Sequence, residues 1–180
     1  MGEALVWRHT IEGLIRVGVA RGDGTPWKSR MKEVGLNVDA PLATAYPRDQ
    51  WKQFIATSAE VLFQGTEEER LEQVGKAFIE EYAETFLGRA VASVLKLIGP
   101  RRALERMTKS LRSGNSYSDT RATFTGATSA EFWLNDTLGF PTYIVGALGA
   151  VMRITSAKNV VVKPIKIEGV ACTFIVTWDP

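Results

Sequence analysis

The chain has one cysteine and one histidine in 180 residues. A lone Cys172 excludes an intrachain disulfide and any zinc site built from several cysteines. A lone His9 leaves a Ser-His-Asp relay a single imidazole, far upstream, and no serine stands on a strand-to-helix elbow. Cys172 lies in an alternating apolar run, which suits a buried small side chain better than a thiolate nucleophile. Arg16, Gly18, Gly22 and Gly24 lack the spacing and the strand–turn–helix context of a phosphate loop. The net charge is only +2, too small to mark a nucleic-acid binder. No apolar run has the length of a bilayer span, and the N-terminus lacks a secretory pattern. Met1-Gly2 opens a myristoylation pattern, but Val6 stands where serine or threonine is required. The expectations are a cytoplasmic, non-enzymatic protein with no cofactor, no metal, no specific nucleic acid and no membrane span.

What the sequence does hold is a hydrophobic share of 45% and a charged share of 23%. That balance suits one domain over 1–180, helical over about 1–113 and β-β-α-β-β over about 116–179. The longest pattern is Glu67–Ile98. Thr66 and Glu69 have the spacing of a capping box. Glu67, Glu68 and Glu69 set negative charge at the positive end of the helix dipole. Leu71, Val74, Phe78, Tyr82, Phe86 and Ala90 recur at three- and four-residue steps, one buried stripe of a helix. Unbroken, the helix would be about 48 Å long, so a kink or break near Gly88 is expected. Gly99-Pro100 ends it. From Phe86 onward the helix is apolar nearly all round, which predicts deeper burial of its second half.

Upstream, residues 4–20 read as an extended start followed by a helix. Thr25-Pro26 opens a helix that turns Trp27, Met31 and Val34 inward and ends at Gly35. Another starts at Tyr46-Pro47 and carries Trp51, Phe54, Ile55, Ser58 and Leu62 on one side. After Pro100, Leu104, Met107 and Leu111 form an inward stripe. Downstream, Ser118–Thr125 and Ser129–Leu134 form a hairpin, Thr142–Thr155 a helix, and Val160–Ile167 with Ala171–Trp178 a second hairpin. Pro164 marks an edge strand or a bulge. The fold class is α+β: N-terminal helices and a long central helix packed on a C-terminal four-stranded antiparallel sheet in β-β-α-β-β order.

Two groups of residues are candidates for binding. Phe78, Tyr82 and Phe86 on the long helix, with Trp133 and Tyr143 at the sheet–helix junction, make either plain core or the wall of an apolar pocket. A small apolar or lipid-like ligand would sit between that helix and the sheet, with Arg89 or Arg101 near the mouth for an anionic head. Arg101, Arg102, Arg106 and Lys109 form a basic face, which is either solvated surface or a site for an acidic partner, a phosphate or a membrane surface. Gly146 and Gly149 lower helix stability by roughly 1 kcal/mol each relative to alanine. Close approach to the sheet, to another helix or to a second subunit would compensate, so a protein partner or a homodimer is the alternative to a ligand.

Tyr46-Pro47, Trp51, Leu62–Gly65, Gly75 with Phe78, Gly88-Arg89-Ala90, Gly99-Pro100-Arg101-Arg102, Gly114-Asn115, Phe132–Asn135 and Thr177-Trp178 resemble an uncharacterised paralogous family of myxobacteria. That resemblance implies an identity and no mechanism. More remotely, helices followed by β-β-α-β-β resemble the superfamily of haem–nitric-oxide domains, vinyl-reductase-type regulatory domains and TRAPP transport subunits. It implies a sensory, ligand-binding module. Haem domains of this kind use a proximal histidine and a Tyr-x-Ser-x-Arg strand motif. Tyr117-Ser118-Asp119-Thr120-Arg121 keeps the tyrosine and arginine but sets Asp119 in place of the serine, and His9 is the only imidazole. Haem is therefore not expected.

Overall fold

A computed structural model describes residues 2–179. The chain opens with β1 (Leu5–Trp7), which pairs antiparallel with β2 (Ala45–Pro47). Between them run α1 (Arg8–Arg21) and α2 (Trp27–Glu33). Then come α3 (Arg48–Leu62) and α4 (Glu67–Ala83). β1 falls in the expected extended start, whereas β2 occupies Tyr46-Pro47, where a helix start is expected, since three residues are too few to show a strand period.

The central pattern is two helices. α4 begins with the expected capping box: Thr66 Oγ1 accepts from the Glu69 amide at 3.3 Å, and the Glu69 carboxylate accepts from the Thr66 amide at 2.8 Å. It stops at Ala83, and α5 (Phe86–Glu105) starts afresh from Thr85. Thr85 Oγ1 accepts from the Gly88 amide at 2.9 Å and donates to the Tyr82 carbonyl at 2.7 Å. One side chain thus caps the new helix and ties it to the end of the old one. The break falls just before Gly88, the position expected to kink. At Gly99, φ is +74°, and Pro100 follows inside the same helix. With ψ at 174° Gly99 is outside the helical region, so the glycine–proline pair ends the first helical run of α5, as expected, and Pro100 opens a second run within the same span.

The break corrects the expected burial. Phe86 is 88% exposed and Leu97 86% exposed, so the second half of the pattern is less buried than the first. Past the break α5 turns a new face inward, Gly88 and Leu95, and the stripe carried over from α4 points to solvent.

α6 (Met107–Gly114) leads to the sheet. β3 (Thr120–Gly126) and β4 (Ser129–Leu134) form the first hairpin, α7 (Pro141–Ile154) crosses over, and β5 (Lys158–Glu168) with β6 (Ala171–Asp179) forms the second. The antiparallel order is β3-β4-β6-β5. Phe132 stands opposite Phe174. Alternation puts Phe132, Leu134, Cys172, Phe174, Val176 and Trp178 on the buried face, where Leu148 and Met152 of α7 pack. Pro164 sits on the edge strand beside a bulge, where its missing N–H costs no ladder bond.

A second core lies among α1–α4 and contains Trp27, Phe54, Leu14 and Val74. Ile144 packs against both cores. α4 and α7 cross so closely that a Cβ on Gly75 would meet the Tyr143 carbonyl and a Cβ on Gly146 the Glu72 carbonyl. Of the three compensations open for Gly146, approach to another helix is the one found. Gly149 has no such backbone neighbour.

Candidate functional site: a cavity between the helices and the sheet

A cavity of about 180 Å³ lies where the two halves meet. α4 contributes Phe78, Ile79 and Tyr82. α5 contributes Gly88, Val91, Ala92 and Leu95 at helical i, i+3, i+4, i+7 spacing, and α6 contributes Met107, Ser110, Leu111 and Gly114 at the same spacing. Tyr143, Ile144, Val151 and Ile154 come from α7. Leu134 at the end of β4 and the 115–118 connection close the sheet side. The wall is mostly hydrocarbon.

Its polar part is concentrated. Tyr82, Tyr117 and Tyr143 all line the space. Among the described residues their hydroxyls bond no protein group, and none is sealed off from accessible space. Tyr143 is only 6% exposed, so its accessible hydroxyl opens into the cavity. Burial pushes the Tyr143 phenol well above its ordinary value of 10, and nearby Tyr117 adds to this. Tyr117 is raised in the same way by burial and then by the charge of Asp136, with Arg48 opposing. Burial also raises Tyr82. Near neutral pH all three are neutral phenols, free to donate one hydrogen bond and to accept another.

Asp136 lines the cavity but is already engaged. Arg48 grips it with Nε and Nη2, at 2.6 and 2.7 Å, and the Leu138 amide donates to it at 2.8 Å. The pair joins the start of α3 to the β4–α7 connection, and the contact with Asp136 keeps the Arg48 guanidinium firmly charged.

Of the residues proposed for a ligand, the structure gathers Phe78, Tyr82 and Tyr143. Phe78 lies edge-on to Trp51 with ring centroids 5.7 Å apart. Phe86 points to solvent. Arg89 is exposed and donates to the Glu84 carbonyl at 2.7 Å, a bond across the helix break. Trp133 is on the outer face of the sheet, with the Arg121 guanidinium over its ring at 5.4 Å. Of the basic face, Arg101 stacks on Phe124 at 3.8 Å and pairs with Glu105. Arg102 is exposed. Arg106 and Lys109 border a separate groove between α5 and α6. Sequence reasoning missed Arg48, Asp136, Met107 and Leu95 as parts of this region. It met Tyr117 only as a fragment of a haem motif.

The family model described as "protein of unknown function (DUF2378)" matches residues 4–179. The chain belongs to the DUF2378 family. No curated protein matches it. Solved structures similar to this DUF2378 chain are haem–nitric-oxide/oxygen (H-NOX) domains. The Fe(II) unliganded H-NOX protein from K. algicida shares 13% identity over 96% of this chain and 95% of its own, with a TM-score of 0.64. A mutant of T. Tengcongensis H-NOX shares 12% over 95% and 96%, with a TM-score of 0.62. An oxygen-binding H-NOX domain related to soluble guanylate cyclases shares 13% over 93% and 92%, with a TM-score of 0.61. At this identity the likeness concerns the fold, and it bears out the remote resemblance at that level.

Whether the DUF2378 cavity suits the haem of that fold can be tested on its lining. Neither histidine nor cysteine lines it. His9 sits on α1 with a buried, unpartnered Nε2 outside the cavity wall. Arg121, which would complete an anion clamp with Tyr117, is turned to the outer face against Trp133. Pockets for drug-sized ligands run to roughly 300–1,000 Å³, well above the 180 Å³ present. The residues of this DUF2378 chain do not fit haem.

Proposed function

We propose that this protein is a sensory or regulatory module that holds a small, mostly apolar molecule with one polar end. The reading rests on the 180 Å³ cavity with phenols that bond no described protein group. An apolar cavity of about 150 Å³ is enough to hold benzene or xenon, so a single substituted ring is the right scale. Its apolar body would lie against Leu95, Val91 and Ile144. Its polar end would exchange hydrogen bonds with Tyr143 and Tyr117. Asp136, whose oxygens accept from Arg48 and the Leu138 amide, is engaged by the protein itself at that end of the cavity. No lining side chain pairs a nucleophile with a base, which supports binding over catalysis. A cytoplasmic location belongs to the same proposal; among the described residues no helix is long and apolar enough to cross a membrane.

Thermal unfolding with p-cresol tests the reading. A ligand at 100 times its Kd stabilises by about 2.7 kcal/mol, so the wild type should melt higher with saturating p-cresol. Ala92→Leu, which places three carbons in the cavity, should melt at the same temperature with and without it. No shift in the wild type, or an equal shift in A92L, would overturn the reading. Stoichiometric hemin should give no Soret band of bound haem.

A further inference from the structure

The basic residues are unevenly placed. Residues 86–114 carry seven Lys or Arg and one acid, Glu105, a net of +6 in a chain of net +2, so the remainder sums to −4. The same segment bears an apolar surface on α5. Phe86 is 88%, Leu97 86% and Val94 51% exposed. At about 100° per residue, Phe86, Ala90 and Leu97 fall within about 40° of one another, with Val94 about 40° further round. They lie opposite Gly88 and Leu95, which face the cavity. Arg89 and Lys96 follow on one side, roughly 60–80° from Phe86. On the other side, across a groove floored by Val91, Val94 and Ile98, stand Arg106, at the α5–α6 junction, and Lys109 of α6. An apolar strip is thus flanked by cations on both sides.

Those cations have charge to offer. Among the described residues Lys96, Arg102, Arg106 and Lys109 are in no ion pair, and Arg89 is satisfied only by a backbone carbonyl, that of Glu84. Arg101 is excluded, being stacked on Phe124 and paired with Glu105.

We infer that this face of α5 and α6 docks on an anionic lipid bilayer. Helices that lie in the membrane interface have this build: large apolar side chains enter the acyl boundary, and flanking Lys and Arg reach the head-group phosphates. A second copy of the chain fits the face less well, because a two-fold contact would bring like charges together. Soluble polyanions satisfy the cations but leave Phe86 and Leu97 in water. The inference is independent of what occupies the cavity.

Vesicle flotation of the full chain tests it, comparing neutral phosphatidylcholine with a phosphatidylcholine–phosphatidylglycerol mixture. The protein should float with the anionic vesicles and not with the neutral ones, and raised salt should release it. K96Q/K109Q should lower partitioning about 25-fold, at about fivefold per cation near the surface. F86S/L97S, whose side chains already stand in solvent, should lower it tenfold or more at unchanged salt slope. Equal binding to neutral and anionic vesicles, or undiminished binding by F86S/L97S, overturns the inference. A dimer seen by light scattering, lost in F86S/L97S and accompanied by no vesicle binding, replaces it with self-association.

Discussion

Replacing Gly146 by alanine should destabilise the protein even though alanine favours helix. On an open helix surface the exchange gains about 1 kcal/mol. At Gly146 the new Cβ would overlap the Glu72 carbonyl oxygen and lie 2.9 Å from the Lys76 amide nitrogen. Both neighbours are backbone of α4, so no side chain can swing aside, and the two helices must part by roughly 1 Å against a close-packed interior. The same movement loosens the reciprocal contact of Gly75 with the Tyr143 carbonyl. Overpacking of this kind costs about 1–3 kcal/mol, and rigid backbone on both sides places it at the upper end, a net loss of about 2 kcal/mol after the propensity gain. Gly149 supplies the control. Its Cβ would meet only the Arg153 guanidinium, at 3.4 Å, so Gly149→Ala should be neutral or gain up to about 1 kcal/mol. Urea unfolding of both variants, read as midpoints at equal slope, should separate them by about 2–3 kcal/mol. G146A as stable as G149A would refute the close helix crossing.

Three further outcomes follow from the same contacts. Asp136→Asn should cost about 3 kcal/mol, because it leaves a mostly buried guanidinium half-paired, and R48M/D136L should recover part of the loss; equal losses in chemical denaturation for the single and double variants would argue against a coupled pair. Tyr117 and Tyr143 are held neutral above the ordinary value of 10, so the unfolded chain releases their protons first. Their contribution is fully present below about pH 10, and stability falls above it by about 1.4 kcal/mol per pH unit for each. Tyr143→Phe should reduce that slope by one such step, whereas a wild type stable without change to about pH 11 would contradict neutral burial. Thr85→Ala should cost about 1 kcal/mol through the lost cap and raise amide exchange in the first turn of α5; unchanged exchange there would show that the cap does not hold the helix.

The parts of the fold legible in the sequence were those set by near neighbours. The Thr66–Glu69 box needs three residues of separation, and the inward face of β6 needs only alternation from Cys172 to Trp178. Pro164 announced an edge because one missing N–H carries that message locally. A break near Gly88 is legible from the length of the pattern, but its place at Glu84-Thr85 is not, because Phe86 continues the Phe78–Tyr82 stripe at the correct spacing. Threonine serves equally in a helix or as its cap, and only the packing of Gly88 on the Tyr82 carbonyl decides which. All-round apolarity in α5 suggests depth, but one apolar face meets the cavity and another meets solvent. The Arg48–Asp136 pair spans 88 positions, so no local pattern could reveal it. The cavity is likewise a property of how six helices meet one strand end. Helical spacing gives Phe78 and Tyr82 of its wall and the inward stripe of Met107 and Leu111, whereas the place of Tyr117 beside them follows only from topology.

The most direct test of the account is an NMR titration of p-cresol into the protein with methyl-labelled leucine, isoleucine and methionine. Leu95, Met107, Ile144 and Leu111 should show saturable shifts, absent in A92L, while Leu14 and Met31 in the other core stay fixed. Shifts spread over the surface, or none up to millimolar ligand, would contradict it.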